Sequence, residues 1–319
     1  MKALITGING FVGCHLSKLL VENGQEVTGT RIDELNLDVI SRHLSLDNVF
    51  ILDLRDRLQV DELISDIKPQ IVFHLAGQSW VPASWNDPAA TFEVNLIGSI
   101  HVFESIIKHV PRTKCIFIST GDFYDVTDSP DAAADENSPT LPRNPYALSK
   151  MTADLMARQL FLSNNLQVIR LRPFNHIGPY QSERFVVSEF ARQIAMVEHG
   201  LSGPVIGVGN LDAERDFTDV RDMVRAYDLS VAKCVPGECY NISSQKAYSV
   251  RHILDTLLSN SAAKIEVRTE ESKYRPVDVI RFLGNSRKFR AATGWAPEIS
   301  IEKTLVDVLT YWRERVKDA

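Results

Sequence analysis

Short apolar runs alternate with amphipathic stretches over the first two thirds of the chain. KALITG, EVTGTR, VFILDL and QIVFHLAG have the length of strands, while VGCHLSKLLVENG and VDELISDI between them have helical spacing. Two more apolar runs, KCIFIST and LQVIRLRP, come later. Such alternation is typical of βαβ units, in which helices cover both faces of a parallel sheet. The pattern therefore predicts an α/β fold.

The alternation loosens from about Asn175, where IGPYQSERF and LSGPVIGVGNLDAERD are rich in Gly, Pro and charge. FTDVRDMVRAYDLSVAK and ECYNIS then predict one more helix and strand that return to the first domain. VRHILDTLLSN, KIEVRT and IEKTLVDVLTYWRERV predict a closing α/β portion. The first domain is therefore predicted to comprise residues 1–174 and 211–245, and a smaller substrate domain residues 175–210 and 246–319.

Composition and charge exclude several classes of protein. The chain has 319 residues, of which 44% are hydrophobic and 24% charged, as in ordinary globular proteins. Thirty-five basic and 41 acidic side chains give a net charge of −6 without a basic block, which argues against a nucleic-acid partner. The amino-terminal MKALITGINGFVG is broken by glycines and resembles neither a signal peptide nor a membrane span. A cytoplasmic protein without a membrane partner is therefore expected.

Metal binding is not predicted either. The four cysteines lack paired metal-ligand spacing, as expected for reduced thiols, and the eight histidines form no HExxH or HxH cluster. An acidic cluster comprises Asp128, Asp131, Asp135 and Glu136. Its spacing matches no EF-hand, so a solvated loop is expected.

Gly7, Gly10 and Gly13 form a G-x-x-G-x-x-G pattern between the first strand and the first helix. Glycines at this place let the backbone turn tightly and approach a pyrophosphate, which rests on the amino terminus of the helix. Phe11 and Val12 lie within the pattern. The segment is therefore predicted to bind a dinucleotide.

The end of the second strand bears on the choice of cofactor. Arg31 lies 18 residues beyond Gly13, near the position where an acidic residue would bind the adenosine ribose of NAD. A guanidinium there can pair with a 2′-phosphate, which favours NADP, but Asp33 and Glu34 follow closely and keep NAD possible. Asp53, after VFILDL, is placed either to accept from an adenine amino group or to cap the strand end.

Tyr146 and Lys150 lie four residues apart in NPYALSK. On a helix they share a face, so the ammonium group can lower the pKa of the phenol and let it exchange a proton with a substrate oxygen. The same spacing also occurs on solvated helix faces. The pair therefore gains meaning only from the motifs around it.

These motifs together resemble the extended short-chain dehydrogenase/reductase family of nucleotide-sugar enzymes. The likeness rests on GINGFVG, Asp53 with Leu54, HLAGQS at 74–79, Asn95, Thr120 and the Tyr146 and Lys150 pair, and spans nearly the whole chain. It implies a Rossmann-type, doubly wound parallel sheet that binds NAD(P). It also implies a smaller carboxy-terminal α/β domain for a nucleoside-diphosphate sugar, usually in a homodimer. The apolar helix faces in HVFESIIKHV and YALSKMTADLMARQLF could form a dimer interface or belong to the core.

The resemblance also implies roles for individual residues. Tyr146 would move the proton at the sugar O4, Thr120 would hydrogen-bond that oxygen, and Lys150 would hold the nicotinamide ribose. Asn95 would order its helix or a proton-relay water. Further implied cofactor contacts are Leu54, Leu75, Ala76 and Gly77, and implied substrate contacts are Gln78 and Ser79.

RPFNHIGPYQSERFVV, STGDFY and RDFTDVRD narrow the likeness within the family. They are most similar to GDP-6-deoxy-4-ketomannose reductases and next to GDP-mannose 4,6-dehydratases. By this likeness Asn175 contacts the diphosphate or sugar, Arg215 and Arg275 the diphosphate, and Asp278 the ribose. Two arginines suit a diphosphate because each guanidinium presents a fork of donors.

Thr120-Gly121-Asp122 favours reduction over dehydration. Sugar 4,6-dehydratases need a carboxylate base and, in the dTDP-sugar branch, a second acid, whereas the acid position here is glycine. Asp122 is one methylene shorter than the usual glutamate. We therefore expect NADPH-dependent reduction of a GDP-4-keto-6-deoxy sugar at C4. Dehydration, 4-epimerisation and cofactor sensing without catalysis remain the alternatives.

The chain departs from the family pattern at two positions. Asp125 follows Tyr124 where glycine is common, and Tyr180 replaces the glycine of GPGQ. A phenol in the substrate loop is expected to alter which sugar is accepted.

Overall fold

The computed structural model describes residues 1–126, 132–273 and 279–317. The predicted acidic loop therefore lies partly outside the described residues, because Asp128 and Asp131 fall in the first gap. Arg275 and Asp278, two predicted substrate contacts, lie outside the described residues as well.

Strands and helices alternate along the described chain. The strands are β1 Lys2–Thr6, β2 Glu26–Arg31, β3 Val49–Ile51, β4 Ile71–His74, β5 Lys114–Ile118, β6 Val168–Pro173, β7 His176–Ile177, β8 Val205–Val208, β9 Glu214–Asp216, β10 Thr218–Asp219, β11 Cys239–Ile242, β12 Ala247–Ser249, β13 Glu266–Thr269 and β14 Arg281–Phe282. The α-helices are α1 Phe11–Glu22, α2 Leu37–Ile40, α3 Arg57–Ile67, α4 Val81–Asn86, α5 Pro88–Phe92, α6 Gly98–His109, α7 Pro145–Asn164, α8 Val186–Glu198, α9 Val220–Lys233, α10 Val250–Ser259, α11 Arg287–Thr293 and α12 Ile301–Arg315. Single 3-10 turns span Leu46–Asn48 and Glu271–Lys273, and a π-helical turn spans Glu93–Ile97.

Within the described residues, seven strands form one sheet in the order β11-β6-β5-β4-β1-β2-β3, and every neighbouring pair is parallel. All residues of β4 and β6 are buried, because helices cover both faces of the sheet. This burial explains why the strands read as largely apolar runs in the sequence, with His74, Arg170 and Arg172 as buried polar residues among them. The predicted α/β fold with a parallel sheet is confirmed.

The sheet separates two apolar cores. One core packs α1 and α9 against the sheet and includes Ile5, Leu16, Ile116, Met223 and Tyr227. The core on the other face packs α3, α6 and α7 against it. All seven strands point their carboxyl ends to one edge, so the loops after β1, β2, β4, β5 and β6 meet there.

A third core belongs to a smaller lobe. It packs α8, α10 and α12 together with β8, and its residues lie between Ile177 and Phe217 and between Val250 and Val316. Phe289 and Trp295, by contrast, pack into the core of α1 and α9. The domain boundaries predicted from the sequence stay a prediction, since packing clusters alone do not define domains.

Buried Asp216, at the end of β9, connects this lobe to the loop after β11. Its carboxylate accepts from Ser244 N at 2.8 Å, Ser244 Oγ at 2.6 Å, Gln245 N at 3.0 Å and Gly284 N at 3.3 Å. Burial raises the pKa of Asp216 to about 6, although these hydrogen bonds oppose the rise.

Among the helices of the described residues, none has the length and apolar character needed to cross a bilayer.

Candidate active site

The turn between β1 and α1 is built from the three predicted glycines. Gly7 has φ +71°, a backbone conformation that favours glycine, and a Cβ added there would lie 3.0 Å from Ala76 Cα. A Cβ on Gly13 would lie 2.4 Å from the carbonyl oxygens of Gly7 and Ile8. Glycine is thus required for helix α1 to start this close to the strand. Phe11 and Val12 form its first turn, whose N–H groups point to the carboxyl edge of the sheet.

Arg31 ends β2 beside two acidic residues. Its Nη1 donates to Glu34 Oε1 at 2.6 Å and to the Asp33 carbonyl at 2.9 Å. The Asp33 carboxylate accepts from Asn9 Nδ2 at 2.6 Å. The guanidinium is therefore held at the strand end, where it can meet a 2′-phosphate in exchange for Glu34. Sequence reasoning missed Asn9, whose partner is distant in the chain.

Asp53 is engaged by a neighbour in the chain. Arg55 donates from Nε to both carboxylate oxygens at 3.0 Å and from Nη2 to Oδ2 at 2.6 Å, and this pairing lowers the pKa of Asp53. Leu54 is buried, and its carbonyl lies 2.8 Å from His101 Nδ1. An adenine amino group would have to share the Asp53 carboxylate with Arg55.

The loop after β4 carries Leu75, Ala76, Gly77, Gln78 and Ser79. Gln78 N–H donates to Asn95 Oδ1 at 2.8 Å, and Asn95 Nδ2 donates to the Gln78 carbonyl at 3.0 Å. A Cβ on Gly77 would lie 2.9 Å from Asn95 Oδ1, so this side-chain clasp requires glycine. Asn95 also donates from Nδ2 to Ser149 Oγ on α7 at 2.9 Å. It therefore orders its surroundings, one of the two roles that the sequence left open.

Thr120 follows β5 and lies beside Tyr146 in the first turn of α7. Its side chain hydrogen-bonds to Tyr146, and its Oγ1 accepts from Asp122 N–H at 3.1 Å. Burial and the charge of Asp122 raise the pKa of Tyr146, while the bond to Thr120 opposes the rise. The phenol is therefore a protonated group, ready to donate.

Lys150 does not lower the pKa of Tyr146 as the sequence predicted. Its Nζ donates to the Ile118 carbonyl at 2.5 Å and lies 4.7 Å from the centre of the Phe117 ring. Burial lowers the pKa of Lys150 to about 8, and the charge of Asp154 opposes the shift. The groups acting on Tyr146 are Asp122 and Thr120 instead. A position on the same helix face was not sufficient for Lys150 to act on Tyr146, because the ammonium group hydrogen-bonds to the Ile118 carbonyl of β5.

Gly121 lies against an aromatic ring. A Cβ there would lie 2.8, 3.0 and 3.1 Å from Cε2, Cζ and Cδ2 of Phe174. The neighbouring Asp122 accepts from Asn144 Nδ2 through Oδ2 at 3.0 Å. Asn144 also caps α7 by accepting from Ala147 N–H at 2.7 Å. Sequence reasoning missed Asn144, although Asn before Pro at the start of a helical pattern is a recognisable cap.

A buried ionic cluster fixes α7 one turn beyond Lys150. Asp154 accepts from Arg170 Nη1 at 2.6 Å and from Arg172 Nη2 at 2.8 Å, and Arg172 Nη1 donates to Tyr124 Oη at 2.8 Å. These arginines hold the pKa of Asp154 below its usual value despite burial. The ionic cluster thus fixes the position of α7, which carries Tyr146, along strand β6.

Asp125, the first departure from the family pattern, has a structural role. Its carboxylate pairs with Arg143 Nη2 at 2.7 Å, and its N–H donates to the Pro139 carbonyl at 2.8 Å. The residue therefore fastens the loop after Thr120 to the segment that leads into α7.

The second departure, Tyr180, packs against rings of α1 and α12. It has φ +73°, and its ring packs 5.2 Å from the ring of His15 and 5.3 Å from that of Tyr311. His15 Nε2 lies 3.0 Å from the Pro179 carbonyl. The left-handed backbone turns the phenol toward α1 and α12, and the expected effect of Tyr180 on the choice of sugar stays a prediction.

Two predicted substrate residues occupy different settings. Asn175 is exposed after β6, next to the Thr120 loop, since Gly121 N–H donates to the Pro173 carbonyl at 3.0 Å. Arg215 Nη1 donates to the carbonyls of Glu214 at 2.8 Å and Val279 at 2.7 Å. Asn175 is thus at the sheet edge with Thr120, while Arg215 belongs to the smaller lobe.

Comparisons with known proteins agree with this geometry. The model of the family "GDP-mannose 4,6 dehydratase" matches residues 4–308. The chain is 31% identical to the GDP-6-deoxy-D-mannose reductase of Pseudomonas aeruginosa over 99% of both chains. It is 27% identical to a GDP-mannose 4,6-dehydratase of Vibrio cholerae, over 97% of this chain and 92% of the relative.

Solved structures give the same result. The structure of RMD from Pseudomonas aeruginosa complexed with NADPH superposes with a TM-score of 0.86 at 30% identity, covering 99% of this chain and 100% of that one. The Rossmann-type architecture and the likeness to nucleotide-sugar short-chain dehydrogenases are thereby confirmed. On the match across nearly its whole length, the chain belongs to the GDP-mannose 4,6-dehydratase family.

Proposed function

We propose that this protein uses NADPH to reduce the C4 keto group of GDP-4-keto-6-deoxymannose, which yields GDP-D-rhamnose. A GDP-6-deoxy-D-mannose reductase is 31% identical over the whole chain, and the similar RMD structure contains NADPH. GDP-mannose 4,6-dehydratases are also relatives, at 27% identity for the one from Vibrio cholerae. Local geometry must therefore decide between reduction and dehydration.

Two features of the Thr120 loop favour reduction: the contact between Gly121 and Phe174, and the short side chain of Asp122. A Cβ on Gly121 would lie 2.8 Å from Phe174 Cε2, so the acid that a dTDP-sugar-type dehydratase uses has no room. The remaining carboxylate, Asp122, accepts a hydrogen bond from Asn144 at 3.0 Å. A short base held in this way is poorly suited to remove a carbon-bound proton at C5. The site thus retains the groups for proton donation but lacks a full dehydration set.

The residues of the β1–α1 turn fit a dinucleotide. Gly7, Gly10 and Gly13 place no side chains beside the helix N-terminus, so a pyrophosphate can approach its N–H groups. Arg31 would hold the 2′-phosphate, while Asp53 and Leu54 would contact the adenine. Phe11, Val12, Leu75, Ala76 and Gly77 would line the remaining path toward Lys150. When bound, NADPH supplies the hydride for C4.

Tyr146 donates its phenolic proton to the sugar O4 in this mechanism. Its raised pKa keeps the proton on the phenol until negative charge develops on that oxygen. Thr120 hydrogen-bonds to Tyr146 and is placed to orient O4. Lys150, charged below about pH 8, would bind the nicotinamide ribose.

The sugar nucleotide would span the edge between the two lobes. Asn175 is exposed beside the Thr120 loop, where it can meet the sugar or the diphosphate. Gln78 has a buried Oε1 without a hydrogen-bond partner among the described residues, which a sugar hydroxyl would satisfy. Ser79 would add a second hydroxyl contact. The diphosphate and ribose would meet the predicted contacts Arg215, Arg275 and Asp278.

A turnover assay tests the proposal. The purified protein, incubated with GDP-4-keto-6-deoxymannose, should oxidise one NADPH per GDP-rhamnose formed. Tyr146→Phe should lose this activity while still binding NADPH, because only the proton donor is removed. Loss of water from GDP-mannose would establish a dehydratase, and epimerisation without net NADPH oxidation a 4-epimerase. Full biological function in Tyr146→Phe would establish a cofactor sensor.

We further propose a homodimer that forms through α7. Leu148, Leu155 and Leu162 are 40%, 51% and 72% exposed and recur every seven residues, as along a helix-packing seam. The opposite face of α7 is buried against the sheet. A second copy of α7 would cover the leucines without disturbing Tyr146. The cytoplasm is the expected location, since the four cysteines are free thiols and NADPH is the proposed reductant.

A further inference from the structure

His74, the last residue of β4, lies in a fully enclosed polar chain beneath the candidate active site. It is 1% exposed. Its Nδ1 lies 2.7 Å from Thr6 Oγ1, and its Nε2 lies 2.9 Å from Ser99 Oγ. Ser99 Oγ in turn lies 2.7 Å from the Asn95 carbonyl. The mechanism above makes no use of this chain of contacts.

The direction of each hydrogen bond in this series follows from its last acceptor, the Asn95 carbonyl. A carbonyl oxygen only accepts, so Ser99 donates its one proton to Asn95. His74 Nε2 must then carry a proton and donate it to Ser99. The imidazole is neutral, since burial and the charge of Lys150 lower the pKa of His74 to about 3. Nδ1 therefore accepts from the Thr6 hydroxyl.

Both ends of this hydrogen-bonded series contact elements that are predicted to bind the cofactor or to carry catalytic residues. At one end Thr6 Oγ1 accepts from Ala76 N–H at 3.1 Å, in the loop that closes over Gly7. At the other end Asn95 clasps Gln78 and donates to Ser149 Oγ at 2.9 Å. Ser149 Oγ donates to the Tyr146 carbonyl at 2.7 Å.

The backbone around Asn95 is itself unusual. Gly98 N–H bonds to the Glu93 carbonyl five residues earlier, which makes residues 93–97 a π-helical turn between α5 and α6. Two hydrogen bonds hold the turn at Asn95: the Ser99 hydroxyl donates to its carbonyl, and its side-chain Oδ1 accepts from the backbone N–H of Gln78.

We propose that His74 is a positioning residue whose hydrogen bonds to Thr6 and Ser99 set the loop of residues 75–78 and Asn95 in register with the helix that presents Tyr146. The imidazole acts through these neighbours and does not touch the substrate. Its effect is on the alignment of the two reacting partners, because the loop lines the cofactor path and α7 bears the proton donor. A small misplacement of reacting groups can cost a large factor in rate.

Helix α6 offers a matched pair of serines for the test. Ser99 and Ser105 are both buried on α6, but Ser105 Oγ has no hydrogen-bond partner in the described part of the chain. Ser99→Ala should lower kcat roughly ten- to a hundredfold with little change in KM for NADPH. Ser105→Ala should leave both unchanged. Ser99→Cys, which keeps a weak donor, should fall between Ser99→Ala and the wild type.

Amide hydrogen exchange of the NADPH-bound protein gives a second measurement that needs no turnover. Ser99→Ala and His74→Phe should speed exchange at the Ala76 and Gln78 amides, because the contacts of His74 hold the acceptors of these amides, Thr6 Oγ1 and Asn95 Oδ1. Ser105→Ala should not change exchange at either amide. Because the rate prediction rests on the proposed function, an inactive wild type would refute that function while exchange still tests the positioning. Equal kcat in both serine variants, or unchanged protection at Ala76 and Gln78, would overturn the role of His74.

Discussion

Replacing Gly121 by alanine tests whether the Phe174 ring excludes a side chain from position 121, where dTDP-sugar dehydratases have an acid. The new Cβ would lie 2.8 to 3.1 Å from three ring atoms of Phe174, whereas carbon atoms in favourable contact are about 3.5–4.0 Å apart. The ring has little freedom to retreat. It stacks 4.9 Å from the Phe282 ring, and a Cβ built on Gly284 would lie 2.7 Å from its edge.

An overlap of this kind costs about 1–3 kcal/mol in a packed core. With an unfolding entropy of about 2.1 cal/mol/K per residue, each kcal/mol lowers the Tm of a 319-residue chain by about 1.5 °C, so Gly121→Ala should lose roughly 1.5–4.5 °C. The displaced loop also carries Thr120, so kcat should fall about tenfold or more. Gly203→Ala is the matched control, because nothing lies within 4 Å of the position that its Cβ would take.

Thermal unfolding and steady-state NADPH oxidation measure both effects on the same samples. Phe174→Leu should rescue Gly121→Ala in the double variant, with a coupling energy of about 1 kcal/mol or more. If Gly121→Ala kept the Tm and kcat of the wild type, Phe174 would not restrict this position. The argument against a dTDP-sugar-type dehydratase would then lose its structural basis, and only the argument from Asp122 would remain.

Three other properties are predicted. Arg31→Ser should reduce the preference for NADPH over NADH roughly ten- to a hundredfold, since a charged hydrogen bond contributes about 1.5–3 kcal/mol; equal preference in wild type and variant would contradict this. Burial lowers the pKa of Lys150 to about 8, so its ammonium form disappears as the pH rises, and kcat/KM should fall above about pH 8. Lys150→Arg should move that limb to higher pH, and an unmoved limb would assign it to another group. Leu155→Glu should yield monomers in sedimentation, whereas Leu58→Glu, at a leucine of α3 that is even more exposed (74% against 51%), should remain dimeric.

The local sequence pattern was sufficient to predict features that depend on residues close together in the sequence. The strands were predictable because burial on both faces makes most of their positions apolar, as in β4 and β6. The Gly7 turn was predictable because a tight strand-to-helix turn requires glycine. The succession of motifs in the sequence also pointed to the family that the comparisons show.

The sequence did not predict the direction of a side chain where its contact partner is distant in the chain. Lys150 was expected at Tyr146, but the Ile118 carbonyl of β5 binds it. The contact of the Tyr180 ring with Tyr311 gave no signal in the sequence either, since the two residues are far apart in the chain. The partners of His74 were unpredictable for the same reason, since Thr6 and Ser99 lie 68 and 25 residues away.

The position of β11 has a consequence for the order in which the molecule assembles. β11 pairs with β6, yet it follows the whole segment 174–238 in the chain. As the polypeptide leaves the ribosome, β6 therefore waits with an unpaired edge, which is the part of a sheet most prone to join another chain. A fragment ending at residue 174 would keep that edge open permanently. The nucleotide-binding sheet is thus completed only after much of the smaller lobe has been synthesised, and the two lobes cannot be separated by a single cut.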